Sequence, residues 1–121
     1  MERISGIGGV FLRARDPAAL AAWYAANLGV GLEEEGGTYG TLAAAEGDVT
    51  VWATFAADTD YFGRPEQQAM VNYRVRDLDA MLAQLRAAGA DVDERVENFE
   101  YGRFGWAADP EGNRFELWQP A

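Results

Sequence analysis

Twice along this chain an alternating run of apolar and polar residues passes directly into apolar residues spaced by three and four. Alternation marks a strand with one face on a core, and three-and-four spacing marks an amphipathic helix. The first run carries Val10, Phe11 and Leu12 and ends in Arg13–Ala14–Arg15–Asp16–Pro17. The second carries Val71, Asn72 and Tyr73 and ends in Arg74–Val75–Arg76–Asp77–Leu78, 61 residues later. Asp16 and Asp77 suit N-caps, and Pro17 suits the first helical position, where its missing N–H is no loss. Leu20, Trp23, Tyr24 and Leu28 predict the core stripe of the first helix; Leu78, Met81, Leu82 and Leu85 predict that of the second. Gly29 and Gly89 stand where C-caps belong. Three short strands should follow each helix. The first set is 30–34, 38–44 and 49–55, with turns at Gly36–Gly37 and Glu46–Gly47–Asp48. The second is 91–96, 103–108 and 114–118, with Asp109–Pro110–Glu111–Gly112–Asn113 as its last turn.

The chain therefore reads as a single α+β domain of two βαβββ modules, residues 1–57 and 67–121, joined by a polar linker over 58–66. One such module cannot cover both faces of its sheet. The two are expected to form one curved mixed sheet with the helices outside.

Composition narrows the chemistry. Histidine, cysteine and lysine are absent from the 121 residues, and Ser5 is the only serine. That removes the imidazole base, the nitrogen and thiolate metal ligands, the thiol nucleophile and the Schiff-base amine. Carboxylates, tyrosines and arginines remain, and arginine stays charged and cannot act as a base. A net charge of −10 opposes nucleic acids and anionic membranes. No apolar run approaches the roughly 20 residues of a membrane span, and Met1–Glu2–Arg3 does not open a signal peptide, so a cytoplasmic protein is expected.

The tract Arg15–Asp16–Pro17 with Trp23–Tyr24 and Leu28–Gly29, and the ending Asp109–Pro110–Glu111–Gly112–Asn113–Arg114–Phe115–Glu116–Leu117–Trp118, resemble the vicinal oxygen chelate superfamily. That superfamily includes glyoxalase I, extradiol dioxygenases, fosfomycin resistance enzymes and bleomycin resistance proteins. The resemblance spans nearly the whole chain and implies the glyoxalase/bleomycin resistance-like fold, commonly as a homodimer. It also implies metal ligands on the first and last strands of each half. Here those places hold Gly9, Met70 and the tract Thr50–Val51–Trp52, and Glu116 alone matches a ligand. A catalytic divalent ion needs about three protein ligands. No metal and no other cofactor is therefore expected.

Strand parity puts Phe11, Arg13, Met70, Asn72, Arg74, Arg114, Glu116 and Trp118 on the face away from the helices. With Trp52 they are the candidate ligand-binding set, Glu116 the candidate acid–base residue, and Gly9 a source of added room. Structural roles stand beside these. Glu116 can pair with Arg13, Arg74 or Arg114, and Trp52 and Met70 can fill core. Trp23 and Tyr24 are expected in the core. Tyr61 and Phe62, and Phe99 and Tyr101, lie in glycine-containing loops and are candidates for a lid or an interface. The leading expectation is a metal-independent binding protein for a small aromatic or amphipathic molecule. A metal-free isomerase, epimerase or lyase using Glu116, and a protein-interaction accessory module, are the alternatives.

Overall fold

A computed structural model describes residues 1–28, 30–43 and 49–121. The expected C-cap at Gly29, the end of a strand at Ala44 and the turn at Glu46–Gly47–Asp48 lie outside the described residues, as does the side chain of Leu28. The chain begins with strand β1 (Ile4–Ala14), helix α1 (Pro17–Leu28), and strands β2 (Gly31–Leu32), β3 (Tyr39–Ala43) and β4 (Val49–Ala56). It continues with β5 (Ala69–Val75), helix α2 (Leu78–Ala87), β6 (Asp91–Val92), β7 (Glu97–Phe99), β8 (Gly102–Ala108) and β9 (Arg114–Pro120). The architecture is α+β, and the two expected helices and the doubled strand pattern are present. No helix among the described residues is long and apolar enough to cross a membrane.

Two compact units divide the chain: Gly9–Ala69, and Met1–Gly8 with Met70–Ala121. In the first, the order is β2–β3–β4–β1, with β1 parallel to β4 and the other pairs antiparallel. In the second, it is β5–β9–β8–β6, with β5 parallel to β9 and β7 also paired to β8.

Both helices start as the caps require. Asp16 Oδ1 accepts from the Ala19 N–H at 3.1 Å, and Asp77 Oδ1 from the Ala80 N–H at 3.0 Å. Helix α2 ends at Gly89, whose φ is +82°. The Gly89 N–H donates to Arg86 O and the Ala90 N–H to Leu85 O, which is the Schellman pattern. Leu78, Met81 and Leu82 of α2 are buried against Val75 and Leu117, with Tyr73 and Phe115 packed beside them. Each such side chain contributes about 1.5–3 kcal/mol of burial.

Helix α1 departs from the expected stripe at Trp23. Ala21, fully buried, and Tyr24 face the sheet and pack with Trp52, Val30 and Leu12. Trp23 is 54% exposed and is not core. Ala21 and Tyr24 thus carry the sheet-facing stripe, Leu20 is half-buried as expected of it, and Trp23 alone of the described stripe turns outward.

Residues 58–66 are expected as a polar link, with Tyr61 and Phe62 as candidates for a lid or an interface. They instead pack onto the helix-free face of the first unit. Phe62 is fully buried, Phe55 stacks on Tyr61 with centroids 5.1 Å apart, and Phe62 lies 5.2 Å from Phe55. Strand β7 is also additional to the sequence expectation. It makes Phe99–Gly102 the tip of a hairpin with β8 rather than an open loop.

Candidate functional site

On the second unit, the face opposite α2 carries a polar cluster centred on one carboxylate. Parallel pairing registers Asn72 with Glu116, and antiparallel pairing registers Trp106 with the same Glu116. Side chains directly across adjacent strands stand on one face, so the three meet. Glu116 is 3% exposed. Its Oε1 accepts from Asn72 Nδ2, and its Oε2 accepts from Trp106 Nε1 at 3.0 Å. Trp106 is fully buried, and two guanidiniums lie over its ring, Arg95 at 4.7 Å and Arg114 at 5.7 Å. Both distances fall within cation–π range.

Arg114 also pairs with Asp93 at 3.3 Å. The Arg95 backbone N–H is the largest influence holding the Asp93 carboxyl below its usual range, with Arg114 adding to it and partial burial opposing both. Asn72 is 2% exposed, and its Oδ1 has no hydrogen-bond partner among the described residues.

One register step along, Arg74, Trp118 and Phe104 form the next row. Phe104 and Trp118 lie parallel with centroids 5.9 Å apart, and the Trp118 indole N–H donates to Tyr101 O at 3.1 Å. Phe99 stacks on Tyr101 at 5.2 Å, and Phe104 meets both edge-on. This gives a continuous aromatic shelf whose outer members, Phe99 and Tyr101, are exposed.

The candidate residues thus separate by unit. Asn72, Arg74, Arg114, Glu116 and Trp118 share the second unit with fully buried Met70. The structure places Phe11, Arg13 and Trp52 in the first. Trp52 lies under α1, its ring 4.5 Å from Tyr24, because its register partner Val10 belongs to the helix-covered face. Phe11 packs on Phe55 at 5.4 Å. Arg13 is held by backbone carbonyls: Nε donates to Gln67 O, Nη1 to Ala57 O and Thr59 O, and Nη2 to Arg64 O. Its guanidinium also covers Phe62. Arg13 therefore ties residues 57–67 down.

Gly9 does not open a hollow as expected. A Cβ there would stand 2.8 Å from Val51 O and 3.0 Å from Val51 Cβ, so strand β4 closes that space.

Trp106 and Arg95 were not among the sequence candidates for this cluster. Trp106 was recoverable: the 109–113 turn sets Ala108 opposite Arg114, and two steps back sets Trp106 opposite Glu116. Nothing in the sequence pattern marked Arg95.

The residues present do not fit a divalent ion held by three protein ligands. Position 9 is closed by backbone and Met70 offers no carboxylate or imidazole. Both oxygens of Glu116 already accept N–H bonds, and no group of three His, Cys, Asp or Glu gathers among the described residues.

The family described as Glyoxalase-like domain matches residues 9–118. No curated protein matches the chain. Among solved structures, a methylmalonyl-CoA epimerase from Mycobacterium tuberculosis is 21% identical with a TM-score of 0.67, covering 98% of this chain and 89% of its own. A methylmalonyl-CoA epimerase variant from Streptomyces coelicolor, solved with 2-nitronate-propionyl-CoA, is 17% identical with a TM-score of 0.73, covering 98% and 99%. A glyoxalase/bleomycin resistance protein/dioxygenase superfamily member from Vibrio splendidus 12B01 is 13% identical with a TM-score of 0.59, covering 98% of each chain. At these identities the likeness establishes the fold.

Proposed function

We propose, from the premise that this chain belongs to the glyoxalase-like domain family, that it is a metal-independent binding protein for a small organic molecule. The observation that carries this is the use made of Glu116. The one carboxylate at a family ligand position spends both oxygens on Asn72 and Trp106. A carboxylate so held orders an aromatic and polar wall instead of reaching for an ion. The wall it orders is Trp106 with its two arginines, continued by Phe104 and Trp118. Flat apolar surface beside a few fixed polar groups is what small-ligand recognition requires.

Acid–base catalysis by Glu116, the chemistry an epimerase-like reading would ask of it, is the weaker alternative. A base must reach its proton, and this carboxylate is enclosed and hydrogen-bonded.

The test is thermal melting of the protein dialysed against a chelator, with elemental analysis, then with a panel of aromatic amines, phenols and aromatic acids. Dialysis should leave the melting temperature unchanged and no stoichiometric metal. At least one compound should then raise it; occupancy at 100 times Kd corresponds to about 2.7 kcal/mol. A stoichiometric ion whose removal lowers the melting temperature overturns metal independence. A panel that gives no shift at any concentration overturns ligand binding.

A further inference from the structure

We infer that the ligand of this face is an aromatic carboxylic acid, its ring laid on Trp118 and Phe104 and its carboxylate received by the Arg74 guanidinium. This rests on the binding function proposed above and names its ligand class. Register carries the placement. Arg74, Trp118 and Phe104 stand side by side on β5, β9 and β8, on the face away from α2. All three are half-buried, so solvent reaches each of them. Neighbouring strands lie about 4.8 Å apart, which is the order of the span from ring to carboxylate in an arylacetic acid.

Absent side chains fix how these groups lie. A Cβ at Gly6 would stand 2.6 Å from Arg74 Nη2, so the guanidinium lies across the β1 backbone. A Cβ at Gly8 would stand 3.0 Å from Trp118 Cε3, and one at Gly102 would stand 2.5 Å from Trp118 Nε1. Gly8, on the β1 segment of this same unit, and Gly102, on β8, flank β9 from opposite sides. A ring that reaches toward both lies along the sheet and does not stand off it, and the indole N–H bond to Tyr101 O holds it there. With Phe104 parallel to the indole, the result is a flat aromatic floor beside a planar cation. A guanidinium offers a carboxylate two parallel N–H bonds, and its five donors let it keep a protein contact as well. The nearby carboxylates are matched by donors of their own: Glu116 by Asn72 and Trp106, Asp93 by Arg114, and Glu97 by Arg95. An incoming carboxylate therefore meets no unmatched negative charge among them.

The experiment titrates the protein at neutral pH with phenylacetate and its uncharged isostere phenylacetamide. About 300 mM salt screens the repulsion between an anion and the excess acidic charge beyond about 6 Å. The readout is the NMR shifts of the Trp118 indole N–H and the Arg74 Nε–H. Phenylacetate should move both signals and bind at least about tenfold more tightly than the amide, a difference of about 1.4 kcal/mol. Arg74→Gln should bring phenylacetate down to the affinity of the amide and leave the amide's unchanged. Arg103→Gln removes the same charge on the α2 side, where Arg103 pairs with Asp79, and should keep the preference. Melting curves confirm that each variant is folded. Equal binding of acid and amide at Trp118 overturns the carboxylate subsite and leaves the binding function standing. So does a preference that survives Arg74→Gln, or one that Arg103→Gln abolishes as fully. Phenylacetate that shifts Trp118 in the unaltered protein without moving the Arg74 signal overturns it independently of any variant. If neither probe perturbs Trp118, the subsite falls, and the binding function stands or falls with the wider compound panel.

Discussion

Four of the five N–H donors of Arg13 go to backbone carbonyls between residues 57 and 67, so a buried cation is held by dipoles. Those carbonyls have no regular secondary structure to accept for. Removing the guanidinium therefore leaves several acceptors short and frees Phe62 from its cover. Arg13→Met should lower stability by about 2–4 kcal/mol in urea unfolding. Arg13→Lys should recover little of this, because one ammonium cannot span the fork. A loss below about 0.5 kcal/mol in Arg13→Met would show that the strap does not depend on Arg13. Trp106 is the corresponding test at the candidate site. Trp106→Phe keeps most of the ring but removes the donor to Glu116 Oε2, leaving one buried carboxylate oxygen short. It should cost about 1–3 kcal/mol, and should also diminish the binding of whichever aromatic compound shifts the melting temperature.

At the scale of elements, the turns explain why the sequence marks them so plainly. Asp109 Oδ1 accepts from the Glu111 and Asn113 backbone N–H groups, and Oδ2 from the Asn113 side chain, all at 2.9 Å. Gly112, at φ +85°, supplies the left-handed step. The Asn113 side-chain bond is the largest influence lowering the Asp109 carboxyl pKa. Asp79, gripped by both terminal nitrogens of Arg103, and Asp93 are lowered as well. A carboxyl lowered by folding stabilises above its unfolded pKa of 3.8 and loses that contribution as pH falls through the folded value. Melting temperature should thus hold at mildly acidic pH and fall below about pH 4. Asp109→Asn should lower it at pH 7 and flatten the acid-side fall; an unchanged acid limb would remove Asp109 as a contributor. The glycines of β8 give a paired contrast. Gly102 has φ +140°, and a Cβ there meets Gln119 O and the Trp118 ring. At Gly105 a Cβ meets only the methyl tips of Leu82 and Leu78, at 3.2–3.4 Å. Gly102→Ala should cost about 1–3 kcal/mol and Gly105→Ala less, measured by chemical denaturation.

These same elements divide what the sequence discloses from what it does not. Caps, turns and alternation are local, so the helices, most strands and the faces of β5 and β9 follow from nearby residues. The two-residue period placed Phe115 and Leu117 under α2 and Glu116 and Trp118 opposite, as found. The outward turn of Trp23 was not legible, because the helix presents the small Ala21 to the core in place of its largest ring. Nor was the role of Arg13, because its acceptors are carbonyls, which every residue carries and no sequence pattern distinguishes. The Glu116 cluster was half legible: parity placed Asn72 and Glu116 together, but Trp106 required combining the turn with the register.

For the molecule as a whole, twenty acidic residues against ten arginines leave a net charge of −10 on a small chain. Two effects of salt then oppose each other. Screening weakens exposed pairs such as Asp79–Arg103 and Arg95–Glu97, each contributing no more than about 1 kcal/mol. Screening also relieves the repulsion among the unmatched carboxylates, which acts across the whole surface and grows with net charge. With acids outnumbering bases two to one, most carboxylates have no guanidinium to lose, so relief of repulsion should dominate. Raising ionic strength from about 20 mM to about 500 mM shortens the screening length from beyond 20 Å to below 5 Å, which should raise the melting temperature by about 2–5 °C. A fall over that range would mean that the few surface pairs outweigh the excess charge. The same titration followed with Arg103→Gln separates the two effects: that variant should start lower and gain more from salt, because it has lost a pair and added an unmatched acid.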